Sequence, residues 1–455
     1  MNDNQRGSFT GKLGFVLSAA GASVGLGNIW RFPYLAAKYG GGIFLLVYVI
    51  LALTFGYTMI VAETSIGRAT GKSPVGAFCH YSHSVFAKFG GWLNAIIPLL
   101  IVPYYSVIGG WVAKYLYEYC AGHEQLLVQD GYFTSFISNG YSPEFWFILF
   151  ALVNLVIILL GVENGIERVS GLMMPILVVL AVILCVYIGV QPGALKGIQY
   201  FLVPNFKNFS LMTIVSAMGQ MFYSLSIAMG ILITFGSYMK KDTSIDRSTI
   251  QVEIFDTGIA VMAGLMIIPA VFVFSGGSPE SLQGGPSLMF VTMPKVFMQM
   301  PMGRWIGILF FALVLLAALT SAIALTETIV STWIDQLHGN RKTGVIMTGA
   351  VMLALGTLSC MGYGPLSFIK ILGMEFLDFF DFLTNSLMMP VSALAICFLV
   401  TKCMGINAVE AEVIQDGHPF GRKKIFTVMI RYVCPVFIVI ILLSSIANVL
   451  GWIHM

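Results

Sequence analysis

Apolar runs of about 18 residues or more recur along the whole chain, and each is long enough to cross a hydrocarbon core as an α-helix. Eleven such runs lie between charged or Gly/Pro-rich breaks, near residues 13–37, 43–66, 91–117, 145–161, 171–190, 213–238, 255–275, 305–333, 345–362, 379–401 and 425–452. Only 10% of the 455 residues are charged, where a soluble domain has about a quarter. The sequence therefore predicts an all-α membrane protein with about 11 transmembrane helices.

Several function classes find no support. The net charge of +3 is small and the basic residues are scattered, so nucleic-acid binding is not expected. No HExxH or P-loop pattern occurs and the six His are dispersed, so the chain is not expected to be an enzyme. The seven Cys form no CxxC pair, and we interpret them as small apolar helix residues.

The basic residues predict the orientation. If the eleven runs cross the membrane alternately, 16 of the 24 Lys and Arg residues fall on the side of the N-terminus and 8 on the other. The positive-inside rule then places the N-terminus in the cytoplasm and the C-terminus outside, in a multi-pass protein of the cell (inner) membrane.

Two of the eleven runs have unusual centres. GASVGLGN (residues 21–28) and FYSLSIAMG (222–230) are rich in Gly, Ser and Ala where a lipid-facing helix would carry Leu, Ile or Phe. Interrupted segments at corresponding places of two halves are typical of a midplane binding site in an inverted-repeat transporter. The same composition would also suit close helix packing. On the first interpretation the repeats are residues 1–190 (helices 1–5) and 191–402 (helices 6–10), followed by a polar connection and helix 11 in 403–455.

The run KLGFVLSAAGASVGLGNIWRFPYLAAKYGGGIFLLVY (12–48) resembles the first-helix signature of the neurotransmitter:sodium symporter family. Further matching segments are AETSIGR (62–68), PYYSVIGGW (103–111), NGIERVSGLMMP (164–175), GQMFYSLSIAMG (219–230), FDTGIAVMAG (255–264) and LAALTSAIALTETIVSTWID (316–335). The chain is most similar to bacterial amino-acid transporters of the eleven-helix type. The resemblance implies a symporter that works by alternating access, with unwound segments in helices 1 and 6.

Two sodium sites follow from the resemblance, both made of oxygen atoms as a hard cation requires. The first is expected to use the carbonyl of Ser23, the side chains of Asn28, Ser224 and Asp256, and the carboxylate of the substrate. The second is expected to use the carbonyls of Gly21, Val24 and Ala317 and the hydroxyls of Thr320 and Ser321.

Asp256 stands where most of the family carries Asn. In relatives that need chloride, the anion lies beside the first sodium, but the aligned Ala260 here cannot help to hold one. A carboxylate at Asp256 supplies the negative charge directly, so chloride is not expected to be required.

The substrate pocket is also implied by the resemblance. Gly25 replaces the Asp with which monoamine transporters pair the substrate amine, so the substrate is expected to carry a carboxylate, bonded by Tyr105. No pocket residue is charged, which favours a small apolar or aromatic amino acid. The residues expected to bind it are Ala22, Ser23, Gly25, Leu26, Gly27, Ile101, Tyr105, Tyr223, Ser224, Ser226, Met229, Ser321 and Leu325.

The resemblance also implies two gates. On the outer side Arg31 is expected to pair with Asp381, with Asp378 as an alternative. The inner gate is expected to join Arg6 and Asp335, with Tyr238 nearby.

Two further features bear on the mechanism. The resemblance places Glu63, a buried acid in the second helix, beside the unwound part of the sixth helix, where it is expected to bond the freed amides. Gly165 and Pro175 enclose nine residues at the start of the fifth helix, a spacing similar to one that lets this helix unwind in some relatives; Gly165 could equally mark a simple helix boundary.

The expected partners are the amino acid, two sodium ions and the lipid bilayer, with the protein a monomer or a weak dimer. Two alternatives remain open: a sodium-dependent amino-acid sensor that does not transport, and a symporter for another small solute that bears a carboxylate.

Overall fold

The computed structural model describes residues 7–274 and 285–449, and within these ranges the chain is helical apart from turns and isolated bridges. Nine helices in the described ranges are long and apolar enough to cross a membrane, and a tenth crossing is a bent pair. The pair Leu211–Ser224 and Ile231–Ser237 brings the number of spans to the eleven predicted. We number the spans in chain order. Span 1 is Lys12–Ser23 with Gly27–Lys38, and the others are Gly42–Thr70, Val85–Ala121, Ser142–Leu159, Val162–Gly189, Leu211–Ser224 with Ile231–Ser237, Ile245–Val273, Gly303–Leu337, Arg341–Met361, Phe376–Met404 and Lys423–Asn448.

Most of the helices are longer than the apolar runs that predicted them. Span 3, expected near 91–117, runs from Val85 to Ala121, and span 8 reaches Leu337. Apolar runs end where the hydrocarbon ends, whereas backbone hydrogen bonding continues through the headgroup layer. The polar connection between spans 10 and 11 also contains a short helix, Ile406–Val413.

Span 1 is broken at Val24, where the backbone becomes extended (φ −74°, ψ 103°). Its two halves meet at an angle of 54°. The second half begins with a π-helical turn, Gly27–Arg31. Because both helices end inside the protein, backbone groups on either side of the break have no partner within their own helix.

Span 6 is broken more sharply. Between its halves, Ser226, Ala228 and Gly230 adopt positive φ angles of 54°, 62° and 71°. Left-handed backbone costs roughly 1–2 kcal/mol at each non-glycine residue, so neighbouring groups must hold it in place. Glu63 of span 2 does so by accepting the Ala228 amide at 2.7 Å, and the Ser226 hydroxyl donates to the Ala22 carbonyl at 2.9 Å. The expected role of Glu63 is confirmed.

Spans 1, 2, 6, 7 and 8 occupy the interior, whereas spans 4, 5 and 11 present rows of exposed apolar side chains where lipid would lie. Glycines allow the closest approaches. A Cβ at Gly67 would overlap the Ile233 carbonyl, and one at Gly236 would overlap Thr64, so spans 2 and 6 touch backbone to backbone. This packing holds the second half of span 6 against span 2.

Candidate functional site

The two breaks enclose a cavity near the middle of the bundle. All thirteen residues predicted to bind substrate line it, and Asn28 lines it as well. The residues around it are Ala22, Ser23, Gly25, Leu26, Gly27, Asn28, Ile101, Tyr105, Tyr223, Ser224, Ser226, Met229, Ser321 and Leu325. The cavity is only about 30 Å³, enough for one or two waters. An amino acid fits only if wall side chains move.

The cavity has a polar end and an apolar end. At the polar end the hydroxyl of Tyr105 accepts the Leu26 amide at 3.2 Å. Gly25 has no room for a side chain, because a Cβ there would lie 2.7 Å from the Ser321 Oγ and 2.8 Å from the Tyr105 Oη. Ile101, Met229 and Leu325 supply the apolar end. The arrangement suits a molecule with one charged head and one apolar tail.

Asp256 lies beside the polar end, fully buried in span 7. Its Oδ1 accepts from the Asn28 amide at 2.8 Å and from the Ser224 hydroxyl at 2.9 Å, and its Oδ2 accepts from the Tyr48 hydroxyl at 3.0 Å. Asn28 Oδ1 accepts the Gly25 amide at 3.1 Å. Asn28, Ser224 and Asp256, three residues of the expected first sodium site, are therefore joined by hydrogen bonds.

This group of side chains fits a sodium ion chemically. It contains a carboxylate and a hydroxyl, which are hard ligands. The Asn28 side chain directs its nitrogen to Asp256 and Ser224 and its oxygen to the Gly25 amide, so it would have to turn for its oxygen to join them. No Lys or Arg forms an ion pair with Asp256 among the described residues. A buried carboxylate without a cationic partner is costly in a membrane, and a sodium ion would neutralise it.

Part of the expected second sodium site is brought together by Ser321 of span 8. The Ser321 hydroxyl lies 3.1–3.3 Å from the carbonyl oxygens of Gly21, Ala22 and Val24. In the same turn of span 8, the Thr320 hydroxyl lies 3.1 Å from the carbonyl of Ala317. Ser321 thus bonds carbonyls freed by the break in span 1, whereas the Thr320 hydroxyl bonds carbonyls of its own helix.

A larger cavity of about 500 Å³, which we call the vestibule, lies above the small one. Arg31 and Asp381 both line it but form no direct ion pair with each other. Arg31 instead lies over the Tyr223 ring at 5.3 Å, and Asp381 accepts from Asn385 at 2.6 Å and Tyr104 at 3.2 Å. The pairing of Arg31 with Asp381 or Asp378 stays a prediction.

At the opposite end of the bundle, the segment before span 1 packs against the end of span 6. Phe9 is buried, packs edge-on against Tyr238 and donates its amide to the Tyr238 carbonyl at 3.1 Å. Asp335 accepts the Ser73 amide at 2.7 Å. Arg6, the expected partner of Asp335, lies outside the described residues.

Sequence reasoning missed two residues at this end of the bundle, Glu327 and Arg341. Glu327 is fully buried in span 8, accepts the Tyr238 hydroxyl at 2.8 Å, and pairs with Arg341 at 2.5 and 3.1 Å. The signal was available, because an acid inside a membrane helix usually has a functional partner. Its cationic partner was less visible, because Arg341 looks like an ordinary charge at the start of span 9.

The comparisons with known proteins agree with this architecture. Residues 6–124 and 134–452 match the model of the Sodium:neurotransmitter symporter family. The chain belongs to this family. Because its members are transporters, the expectation that the chain is not an enzyme is confirmed.

Similar proteins cover this symporter from end to end. A sodium-dependent transporter of Bacillus subtilis, YhdH, is 33% identical over 98% of this chain and 99% of its own length. One from Haemophilus influenzae is 30% identical, again over 98% and 99%. The crystal structure of MhsT in complex with L-phenylalanine superposes with a TM-score of 0.86 at 34% identity and covers 97% of this chain and 100% of that one. The protein is thus a multi-pass, sodium-dependent membrane transporter.

Proposed function

We propose that this symporter couples the import of a small apolar or aromatic amino acid to sodium by alternating access. The observation that carries the proposal is the position of Asp256. It borders the polar end of the substrate cavity, so one sodium ion could contact Asp256 and the carboxylate of an amino acid together. By linkage, each ligand would then raise the affinity for the other.

The choice of amino acid rests on the apolar end of the cavity. Ile101, Met229 and Leu325 carry no charge, so a charged substrate side chain would be buried without a partner. The flexible thioether of Met229 can move and contact an aromatic ring. The bound L-phenylalanine in MhsT supports a substrate of this kind.

Two sodium ions would supply the driving force. Each ion that enters a cell held 100 mV negative inside contributes about 2.3 kcal/mol, and a tenfold sodium gradient adds about 1.4 kcal/mol. Two ions therefore offer roughly 7 kcal/mol, a ceiling near 100,000-fold accumulation of a zwitterion. Asp256 serves the first site, and the group around Thr320 and Ser321 serves the second.

Chloride is not part of the proposed cycle. Asp256 carries the compensating charge in the protein, and Ala260, one turn further along span 7, offers no ligand for an anion. If uptake fell to background when gluconate replaced chloride in the medium, this independence of chloride would be contradicted.

The remaining features of the proposal concern topology. The N-terminus is placed in the cytoplasm and the C-terminus outside in the cell (inner) membrane, with residues 1–190 and 191–402 as inverted repeats. The vestibule then faces outward, and the end of the bundle where Phe9, Tyr238 and Glu327 pack together faces the cytoplasm. The open vestibule and closed inner end correspond to the outward-facing half of an alternating-access cycle. We propose a monomer or a weak dimer.

The test is uptake of labelled tryptophan, phenylalanine, leucine, lysine and glutamate into proteoliposomes with an inward sodium gradient, and with potassium in place of sodium. Sodium-dependent accumulation of the apolar and aromatic substrates, but not of lysine or glutamate, is the expected result. Sodium-dependent binding without accumulation would indicate that the protein is a sensor and not a transporter. Accumulation of a different carboxylate would keep the mechanism and change the substrate.

A further inference from the structure

Arg431 is a cation on the lipid-facing side of span 11. It follows Lys423, the first residue of the span, by eight residues, or about 12 Å along the helix. Its side chain is exposed, and within residues 7–274 and 285–449 it makes no hydrogen bond or ion pair. A guanidinium without a partner inside a membrane span is costly. Arg431 therefore needs an anion that the described protein does not supply.

The residues around Arg431 show that this side of span 11 meets lipid. Val428 and Tyr432 are 52% and 65% exposed, whereas Met429 and Ile430 are buried against the bundle. Tyrosine is enriched where a membrane span passes from the hydrocarbon to the headgroups. The surroundings of Arg431 are thus those of a side chain near the headgroup layer.

Lys424 is a second cation on the same side of the helix. It precedes Arg431 by seven residues, which is two turns or roughly 10.5 Å, so the two side chains share one helix face. Lys424 is exposed and has no partner in the described part of the chain. Lys423, beside it, instead bonds Glu410 at 2.6 Å. Two positive charges on this face are therefore uncompensated.

Helix geometry brings these two charges towards each other. Each Cα–Cβ bond of an α-helix tilts towards the N-terminus, and long side chains lean the same way. The long arginine side chain can therefore extend from Arg431 towards Lys424 and the membrane surface, with its apolar stem along the helix. One phosphate at this surface could then contact both cations.

We propose that Lys424 and Arg431 together bind the headgroup of an anionic phospholipid such as phosphatidylglycerol. The planar guanidinium suits two oxygens of a phosphate, and the ammonium of Lys424 adds a second positive charge. A zwitterionic headgroup brings its own cation beside the phosphate, which these two charges would repel. The inference goes beyond the proposed function, because it requires only that span 11 lies in a bilayer.

The test measures lipid binding to the purified full-length protein in detergent by native mass spectrometry. Phosphatidylglycerol and phosphatidylcholine with the same acyl chains are titrated separately, and the fraction of protein that carries a lipid is recorded. The parent protein should bind phosphatidylglycerol at least tenfold more tightly than phosphatidylcholine. Arg431→Gln and Lys424→Gln should each weaken phosphatidylglycerol binding about five- to tenfold, the equivalent of about 1–1.4 kcal/mol, and change phosphatidylcholine binding less than twofold.

Two further variants serve as controls. Arg431→Lys keeps the charge and should weaken phosphatidylglycerol binding less than threefold. Lys342→Gln removes one positive charge from the start of span 9, where Lys342 is also exposed and has no partner among the described residues. It should change the affinity for either lipid less than twofold.

Three results would overturn the inference. The first is equal affinity of the parent for the two lipids, or phosphatidylglycerol binding that Arg431→Gln leaves unchanged. The second is an equal loss in Lys342→Gln, which would mean that net charge governs binding and not this face of span 11. The third is a dimer in lipid-free detergent that Arg431→Gln dissociates, which would make this face a contact between two copies of the chain. None of these results bears on sodium-coupled uptake, so the proposed function would stand.

Discussion

Replacing Asp256 by Asn tests the ion site with almost no change in shape. The substitution keeps the volume but removes the only charged side chain that the protein contributes to the proposed first sodium site. A unit charge about 4 Å from a sodium ion contributes about 4 kcal/mol at an effective dielectric constant near 20. That energy corresponds to roughly 1,000-fold in affinity, and the dipoles of Asn28 and Ser224 would offset part of the loss. We therefore expect the half-saturating sodium concentration to rise by about 100- to 1,000-fold.

The assay is equilibrium binding of labelled amino acid to purified protein, titrated with sodium at constant ionic strength with potassium as the replacement ion. Asp130→Asn is the matched control, because that carboxylate is exposed and bonds only Lys295 among the described residues. It should leave the sodium titration unchanged. A shift below threefold for Asp256→Asn, in protein that still melts cooperatively, would refute the assignment of Asp256 to the ion.

Three other substitutions test the surroundings of the cavity. Glu63→Gln removes the charged acceptor of the Ala228 amide, and a hydrogen bond to a charged group contributes about 1.5–3 kcal/mol to stability. The substitution should lower both the apparent Tm and the affinity for substrate. An unchanged melting curve would contradict the role of this bond. The added methyl group of Gly67→Ala would overlap the Ile233 carbonyl and should lower the free energy of unfolding by about 1–3 kcal/mol, so that the protein aggregates at a lower temperature on heating. A Tm equal to that of the parent would mean that spans 2 and 6 can separate freely. Tyr105→Phe removes the hydroxyl near the expected substrate carboxylate and should weaken amino-acid binding by about two- to tenfold, whereas equal affinity in a binding assay would place the carboxylate elsewhere.

Much of the architecture could be predicted because hydrophobic length and backbone bonding leave few choices in a membrane. The runs of Gly, Ser and Ala at 21–28 and 222–230 marked the two breaks, whereas the lining of the small cavity was implied by the resemblance to the symporter family. The resemblance also placed Glu63 beside the break in span 6, where freed amides in a dry environment need an acceptor.

The parts that could not be predicted depend on distances between segments far apart in sequence. The partner of Glu327 is Arg341, which follows a turn and resembles any flanking charge. Arg31 lies on the Tyr223 ring, and its distance from Asp381 depends on how far the vestibule is open. Glu167 accepts the Thr10 amide at 2.8 Å across a separation of 157 positions in the sequence.

The vestibule and the small cavity share Leu26, Tyr105 and Tyr223, so the floor of one is the roof of the other. A compound that rests on this floor but is too wide to pass it would stack on Tyr223 beside Arg31. It would block the closing movement without occupying the amino-acid pocket. Such a compound would lower the maximal uptake rate and leave the substrate affinity almost unchanged, which is the pattern of a noncompetitive inhibitor.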